Sequence, residues 1–255
     1  MRLQIKNVTF SYNKTPVLDH INFSLGDRKI LAIVGPNGSG KSTLLKCIDQ
    51  TLKPQKGSIL LDNQDIMRLK TEEVAKKLGY VPQSNGRSFP ATVFDSILMG
   101  RKPYIKWAPT TNDLKIVANV IEKLGLQQLA LRDINELSGG QKQKVIIGRS
   151  LAQEPSILLL DEPTSNLDLK HQLEVLTLIK EQTKEKVSAI IAIHDLNLAL
   201  RYCDKIVMLD KGTVFASGNM DVLTAENIES VYGVKVKLIM DSNRFFVIPE
   251  ETNGD

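Results

Sequence analysis

Two hydrophobicity patterns divide the chain into regions that predict different structures. Leu3 and Ile5, and later Ile21, Phe23 and Leu25, alternate with polar neighbours, a period of two that is typical of strands with one buried face. Short apolar runs at higher residue numbers are long enough to be strands that are buried on both faces. These runs lie in residues 30–34, 78–83, 157–163 and 187–193. The pattern therefore predicts antiparallel strands at the N-terminus and a sheet of buried strands after them.

Between residues 84 and 137 the buried strands stop, and apolar residues recur at helical spacing. Three segments are predicted to be helical, namely residues 92–99, 112–124 and 126–131. In the second segment four apolar side chains fall on one helical face: Leu114, Val117, Ile121 and Leu124. We expect a single domain with an α/β core in residues 1–83 and 145–255 and a helical subdomain in residues 84–144.

Shorter elements complete the predicted architecture. Further helices are predicted at residues 43–49, 71–77, 138–154, 168–184 and 225–231. One strand is predicted at residues 57–62, and a hairpin is predicted at 205–209 and 213–216. Two edge strands are predicted at 234–238 and 244–248, and a frayed tail is predicted at 250–255.

Composition narrows the functional classes. The chain has 255 residues, 42 % hydrophobic residues and a net charge of +4, with its basic residues scattered rather than clustered, so we expect no nucleic-acid partner. The apolar runs are too short to span a membrane, and residues 1–6 lack the apolar core of a secretory signal. We therefore expect a cytoplasmic chain whose membrane role, if any, is through a partner. Cys47 and Cys203 have no metal-ligand spacing, and Cys47 is expected to be a buried thiol.

A glycine-rich segment between a predicted strand and a predicted helix indicates phosphate binding. It reads Gly35, Pro36, Asn37, Gly38, Ser39, Gly40, Lys41, Ser42, Thr43. Glycines let successive backbone N–H groups turn inward around a phosphate chain, and the helix N-terminus adds unpaired donors and partial positive charge. Lys41 can reach the β- and γ-phosphates, and the Ser42 hydroxyl can bind Mg²⁺. Strand, loop and helix in this order are the phosphate-binding loop of nucleoside triphosphatases.

Polar residues at the ends of predicted strands are the candidate catalytic groups. Asp161 and Glu162 follow the apolar run at 157–160. Two adjacent carboxylates repel each other, and Mg²⁺ bound to Asp161 would relieve this repulsion and leave Glu162 as a base toward water. Two solvated loop acids without a role are the alternative. Gln83 lies at the carboxyl end of a strand, where ligands of α/β sheets gather, and a turn glutamine without a role is its alternative. His194 follows another strand and could equally be a core or capping histidine, while Tyr12 could stack on a purine or simply end a strand.

A second glycine pair opens a later helix. Ser138 is a good N-cap residue, and Gly139, Gly140 and Gln141 follow it at the start of the helix predicted for residues 138–154. A flexible loop before a helix is the alternative interpretation. Gly148 inside this helix is expected to be a site of close packing.

In their order and spacing these motifs resemble those of ATP-binding cassette (ABC) ATPases, over nearly the whole chain. The resemblance implies an α/β fold: a P-loop nucleoside triphosphatase core with a mainly parallel sheet, an N-terminal antiparallel β subdomain and an inserted α-helical subdomain. It implies that Tyr12 stacks on adenine, that the loop from Gly35 to Thr43 binds ATP, and that Asp161, with Ser42 and Gln83, holds Mg²⁺. Glu162 would activate the attacking water and His194 would contact the γ-phosphate. Lys144 stands where the family usually has arginine, and Gly148 where alanine is common.

The same resemblance implies a set of partners. Ser138, Gly139, Gly140, Gln141 and Asp168 would contact the ATP bound to a second ATPase subunit, so that ATP joins two copies head to tail into a homodimer. An integral-membrane permease would place the protein at the cytoplasmic face of the membrane, with an external substrate-binding protein as an indirect partner. Residues 89–93, 98–104 and 231–234 are similar to ATPase subunits that import iron–siderophore complexes, haem or cobalamin. An exporter subunit, or a non-transport cassette acting on nucleic acid or ribosomes, is the alternative.

Overall fold

The chain forms two compact units in a computed structural model that describes residues 2–83, 90–241 and 244–250. The terminal unit comprises Met1–Arg68 and Ser188–Asp255, and the middle unit comprises Leu69–Val187. The helices found in residues 92–124 belong to the middle unit, whose described part also contains two strands and three further α-helices. Residues 84–89, which begin the predicted helical subdomain and include Phe89, lie outside the described residues, as do residues 251–255 of the predicted tail.

An antiparallel sheet begins the terminal unit, as the alternating pattern predicted. Its strands, in spatial order, are β2 (Thr15–Leu25), β1 (Leu3–Tyr12), β4 (Lys56–Leu61) and β5 (Gln64–Asp65). Leu3, Ile5 and Val8 of β1 are buried, whereas Lys6 and Asn7 are exposed. The sheet thus has one face in the core and one toward solvent.

A second sheet in this unit carries the buried strands. Its order is β10 (Thr213–Gly218), β9 (Lys205–Asp210), β3 (Ile30–Val34) and β8 (Ser188–Ala192). β3 runs parallel to both β8 and β9, and every residue of β3 and β8 is buried, which is why these strands read as continuous apolar runs. The predicted hairpin of β9 and β10 is confirmed.

Three helices and a hairpin complete the terminal unit. The helices are α1 (Lys41–Ile48), α7 (Leu196–Tyr202) and α8 (Ala225–Tyr232); α7 was not predicted. Cys47 of α1 is buried as expected, and burial raises the pKa of its thiol to about 12. The two predicted edge strands, β11 (Val236–Asp241) and β12 (Arg244–Pro249), pair with each other in a separate two-stranded sheet.

The described part of the middle unit contains a parallel strand pair and five α-helices. β6 (Leu78–Val81) pairs with β7 (Ile157–Asp161). The helices are α2 (Thr71–Ala75), α3 (Val93–Leu98), α4 (Thr111–Lys123), α5 (Gly139–Ala152) and α6 (Leu169–Glu185). Gly148 of α5 is the close-packing site that was predicted, because a Cβ there would lie 2.6 Å from Leu124 Cδ1 and 3.1 Å from Ile97 Cδ1.

Two details of the predicted helices were wrong. Leu114 is 41 % exposed, whereas its neighbour Asp113 is buried and pairs with Arg101; the other three residues of the predicted face, Val117, Ile121 and Leu124, are buried. The predicted helix at residues 126–131 is only a short 3₁₀ turn, Gln127–Leu129.

None of the helices in the described part of the chain is long and apolar enough to cross a membrane.

Candidate active site

The glycine-rich segment of the terminal unit forms a loop between β3 and α1. Gly35 and Gly40 have φ angles of +148° and +103°, in the region that favours glycine. A Cβ on Gly35 would lie 2.2 Å from the Leu209 carbonyl oxygen, and one on Gly40 would lie 2.8 Å from Leu18 Cδ2. Any larger residue at either position would therefore force the loop out of this path.

Polar groups inside the loop fit an anionic ligand. The Lys41 ammonium donates to the carbonyl oxygens of Gly35 at 2.9 Å and Pro36 at 3.0 Å, so its side chain is folded over the loop. Ser39 is 2 % exposed, and among the described residues its buried hydroxyl has no hydrogen-bond partner. Helix α1 begins without a side-chain cap and without an acidic residue in its first turn, which includes Ser42 and Thr43. Such a helix start retains its affinity for phosphate.

Two further predicted residues lie in the terminal unit. His194 is exposed and follows β8, and the N–H of the preceding residue, Ile193, donates to the carbonyl of Ile33 in β3 at 3.1 Å. His194 and the phosphate loop therefore leave the sheet at the same edge, where neighbouring parallel strands end. Tyr12 ends β1 and is 44 % exposed, with its ring edge-on to Phe10 at 4.8 Å, which leaves ring surface available for stacking.

In the middle unit, the ends of β6 and β7 bring the predicted acidic residues against polar partners. Asp161 is buried and accepts a hydrogen bond from the Tyr80 hydroxyl at 3.2 Å. Glu162 has a φ of +50°, an uncommon conformation for a side chain of this size, and its carboxylate accepts a hydrogen bond from the Gln83 amide at 2.7 Å. Sequence reasoning singled out Gln83 and Glu162 separately but missed this contact. Because β6 and β7 are parallel neighbours, their carboxyl ends place the two residues together.

Hard oxygen ligands suit Mg²⁺. The middle unit offers the Asp161 carboxylate and the Gln83 amide as such ligands, and the terminal unit offers the Ser42 hydroxyl. The described residues contain no cluster of three or more His, Cys, Asp or Glu side chains that could hold a metal ion. Each unit by itself thus offers one or two oxygen ligands, which is the number that proteins usually supply to Mg²⁺ bound with substrate phosphates.

Helix α5 begins with a capping box at the predicted N-cap. The Ser138 hydroxyl accepts from the Gln141 N–H at 3.4 Å, and the Gln141 side chain accepts from the Ser138 N–H at 3.0 Å. Ser138 and Gly139 are exposed, and within the described ranges no acceptor is found for the N–H groups of Gly139 and Gly140. The helix start is thus ordered by its own side chains and presents backbone donors to the surface.

His171 explains why position 140 is glycine. A Cβ on Gly140 would lie 2.2 Å from His171 Cδ2 and 2.5 Å from Cγ. The His171 backbone N–H and Nδ1 contact Asp168 Oδ1 at 2.9 and 2.7 Å, and this hydrogen bonding lowers the pKa of the Asp168 carboxyl. The sequence analysis gave His171 no functional setting; its spacing of three residues from the N-cap Asp168 was the available signal.

Ionic contacts fix α5 along its length. Lys144 bonds Glu174 of α6 at 2.8 Å. At the C-terminal end of α5, buried Arg101 bonds the carbonyl of its last residue, Ala152, at 2.8 Å. Arg101 also bonds Glu154 at 2.8 Å and Asp113 of α4 at 2.9 Å. Hydrogen bonds from Thr110 and Arg101 lower the pKa of Asp113 to about 2, so this network is ionic at neutral pH.

Comparison with known proteins places these motifs in a family. Residues 18–165 match the family described as ABC transporter. An uncharacterised ABC transporter ATP-binding protein of Methanocaldococcus jannaschii is 52 % identical over 92 % of both chains. A probable iron chelatin transport ATP-binding protein of Helicobacter pylori is 38 % identical over 97 % of this chain and 99 % of its own.

Solved structures agree with the sequence matches. A transporter described as being of the metal-chelate type, in an inward-facing conformation, has a chain 30 % identical to this one with a TM-score of 0.85, covering 98 % of both chains. The dimeric structure of a bacterial ABC transporter cassette is 30 % identical with a TM-score of 0.75, covering 86 % of this chain and 98 % of that one. The predicted α/β nucleotide-binding fold is confirmed by these likenesses.

Proposed function

Because the chain belongs to the ABC transporter family, as one of its ATP-binding, ATP-hydrolysing subunits, we propose that it powers a membrane importer for a metal chelate or a related cargo. The Helicobacter pylori relative is named for iron chelatin transport, and the structural neighbour is described as a metal-chelate type transporter. Iron–siderophore complexes, haem and cobalamin are the cargoes that this proposal covers.

One observation carries the ATP-binding part of the proposal. The phosphate loop combines glycines that exclude a Cβ, a lysine folded over the loop and the buried Ser39 hydroxyl without a described partner. These features suit the phosphates of ATP, with Tyr12 stacking on adenine and His194 contacting the γ-phosphate.

Hydrolysis is assigned to the residues that follow β7. Glu162 acts as the general base that takes a proton from the attacking water, and the Gln83 amide orients its carboxylate through the hydrogen bond at 2.7 Å. Ser42, Asp161 and Gln83 are the residues that would hold Mg²⁺, which when bound neutralises charge on the phosphates. Lys41 contributes a fixed positive charge of its own.

Dimerisation completes the site in this proposal. The start of α5 presents donors at the surface, and we assign Ser138, Gly139, Gly140, Gln141 and Asp168 to the ATP held by a second copy. The dimeric cassette among the structural neighbours supports this arrangement. ATP binding then joins the two copies, and hydrolysis releases them, which supplies the movement for transport.

Purification from membranes tests the transporter assignment. We expect a tagged chain to co-purify with an integral-membrane permease, and vesicles carrying both to accumulate iron chelate, haem or cobalamin when ATP and an external substrate-binding protein are supplied on the appropriate sides. Outward movement of cargo would make the chain an exporter subunit. Recovery with ribosomes or nucleic acid instead of a permease would contradict the transport function while leaving the ATPase intact.

A further inference from the structure

The hairpin of β11 and β12 carries a concentration of exposed apolar side chains. Within fourteen residues it exposes Ile239, Met240, Phe245, Phe246 and Ile248. Exposed apolar groups gathered in one place mark interaction surfaces more often than single ones do. None of these residues has a role in the ATPase site proposed above.

The two faces of this hairpin differ. Val236 and Val247 are buried, so this part of their face packs on the protein, whereas Met240 and Phe245, farther along the same face, are exposed. The opposite face of β11 carries Lys237, Ile239 and Asp241, and its cross-strand neighbours of Ile239 and Lys237 are Phe246 and Ile248. Along β11 this face therefore has Ile239 at its centre, with Lys237 on one side and Asp241 on the other, and Arg244 of β12 is the cross-strand neighbour of Asp241.

One edge of the hairpin is covered and the other is open. The Asn197 side chain donates to the Val247 carbonyl at 3.1 Å and accepts from the Val247 N–H at 2.8 Å, which closes the edge of β12. Val247 lies opposite Leu238, so this is a pair without mutual hydrogen bonds, and the backbone groups of Leu238 also point away from the hairpin. By the same alternation those of Val236 and Met240 do so too. In the described part of the chain, β11 pairs with no strand except β12.

We propose that β11 pairs edge to edge with β11 of a second copy of this chain, antiparallel, about a two-fold axis at Ile239. In this register Ile239 faces Ile239 of the second copy, and Lys237 faces Asp241 of the second copy on both sides of the axis. The open N–H and C=O groups of Leu238 and Met240 then bond across the interface, because a two-fold at Ile239 places these two residues opposite each other. Moving the axis by one residue, to Leu238, would set Lys237 against Ile239, so the charges favour the register centred on Ile239.

The contact requires no nucleotide, which separates it from the ATP-dependent dimer proposed above. It buries an open strand edge that would otherwise be available for uncontrolled pairing. It also keeps two copies together between ATP cycles, so that closure on ATP becomes an encounter at high effective concentration. Lys237 also lies 3.5 Å from Glu250 of its own chain but remains 72 % exposed, so its ammonium is available to the second copy.

Disulfide formation tests the register directly. At a pair without mutual hydrogen bonds the Cα atoms are about 4.5 Å apart, within the range of about 4.4–6.8 Å that a disulfide needs. We expect Ile239→Cys, in a Cys203→Ser background and without nucleotide, to form a disulfide-linked dimer under mild oxidation. Met240→Cys is the matched control: Met240 is 64 % exposed and Ile239 46 %, yet the two Met240 positions would be about 7–8 Å apart. Equal or greater cross-linking through Met240→Cys, or none through either, would overturn the proposal.

A charge exchange provides the second test, by sedimentation of the full chain without nucleotide. Lys237→Asp and Asp241→Lys each place like charges opposite each other on both sides of the axis, and we expect each to weaken the dimer at least about tenfold, whereas the double exchange restores it. Lys56→Asp, an exposed strand position elsewhere in the terminal unit, is expected to have no effect. A wild-type chain that stays monomeric at every concentration, or a double exchange as weak as the single ones, would contradict the contact.

Discussion

The phosphate loop and the start of α5 both place glycines at a helix N-terminus, but they differ in how exposed their polar groups are. The loop is closed on itself: Ser39 and Lys41 are 2 % and 5 % exposed, and the Lys41 ammonium bonds the carbonyls of its own loop. Helix α5 has a capping box that orders its first turn, but Ser138 and Gly139 are exposed. The phosphate loop, residues 35–43, is thus a largely buried binding loop within its own unit, here called the cradle. The start of α5 lies at the protein surface.

This difference indicates how the work is divided within the chain. The phosphate loop, whose buried Ser39 hydroxyl has no partner among the described residues, can bind phosphate by itself. The ordered but exposed start of α5 has donors for a ligand that is bound to another molecule. Variants of the two regions should therefore have different consequences, and the following predictions test that difference in order of decreasing effect.

Replacing the proposed base should separate chemistry from binding most strongly. Glu162→Gln keeps the shape of the side chain but removes the proton acceptor, and we expect the ATPase turnover to fall by about 10²–10⁴-fold, while ATP binding is retained and an ATP-bound dimer accumulates. Glu136→Gln, an exposed glutamate of the same unit, is the control. Hydrolysis assays combined with sedimentation provide both readouts, and turnover near the wild-type level in Glu162→Gln would exclude this residue as the base.

Removing the support of α5 should destabilise the middle unit without weakening the cradle. Arg101→Ala leaves the buried Asp113 carboxylate without its cation, and we expect a loss of about 3–5 kcal/mol in the free energy of unfolding. Denaturant titration measures this loss. Arg132→Ala removes only the exposed Arg132–Glu136 pair and should cost less than about 1 kcal/mol. Equal effects of the two substitutions would show that the buried network does not anchor the helix.

The cradle itself should depend on Lys41. Lys41→Ala removes charge-assisted hydrogen bonds to phosphate worth about 1.5–3 kcal/mol, which corresponds to a loss of ATP affinity of roughly 10–100-fold. Lys46→Ala, in the last turn of the same helix, should bind ATP normally. Titration with a fluorescent ATP analogue compares the two variants, and unchanged affinity in Lys41→Ala would refute its phosphate role.

The smallest predicted effect tests the packing at the start of α5. Gly140→Ala sets a Cβ 2.2 Å from the His171 ring, an overpacking that we expect to cost about 1–3 kcal/mol. His171→Ala should relieve part of this cost when the two substitutions are combined. Gly139→Ala meets only Leu167 Cδ2 at 3.8 Å and should change stability by less than about 0.5 kcal/mol. Thermal unfolding of the wild type, Gly140→Ala, His171→Ala and the double variant gives a double-mutant cycle. If the losses of stability in the two single variants simply add in the double variant, His171 does not limit the size of residue 140.

Much of the fold follows from local sequence patterns. The apolar runs predicted the buried strands β3, β7 and β8, because strands buried on both faces require continuous apolar residues. The predicted N-cap at Ser138 and close packing at Gly148 are also confirmed, because caps and tight helix contacts restrict the residue types at single positions.

The rest depends on contacts between residues distant in sequence. Leu114 was expected on the buried face of α4 with Val117, Ile121 and Leu124, but only the other three are buried, and Asp113 takes the buried position beside them, paired with Arg101. The packing of His171 against Gly140 joins residues thirty-one positions apart, and the bond of Gln83 to Glu162 joins two neighbouring strand ends.

Complementation between two inactive variants tests the central claim, that each ATP site combines the cradle of one chain with the exposed helix start of another. Lys41→Ala damages the cradle, and Gly139→Asp places a negative charge where the helix start would meet phosphate while remaining compatible with the helix dipole. Each variant alone should have little ATPase activity. Mixing them should restore turnover well above the sum of the two, because a mixed pair contains one site with both parts intact. A mixture no more active than that sum, under conditions where mixed pairs are shown to form, would contradict the account.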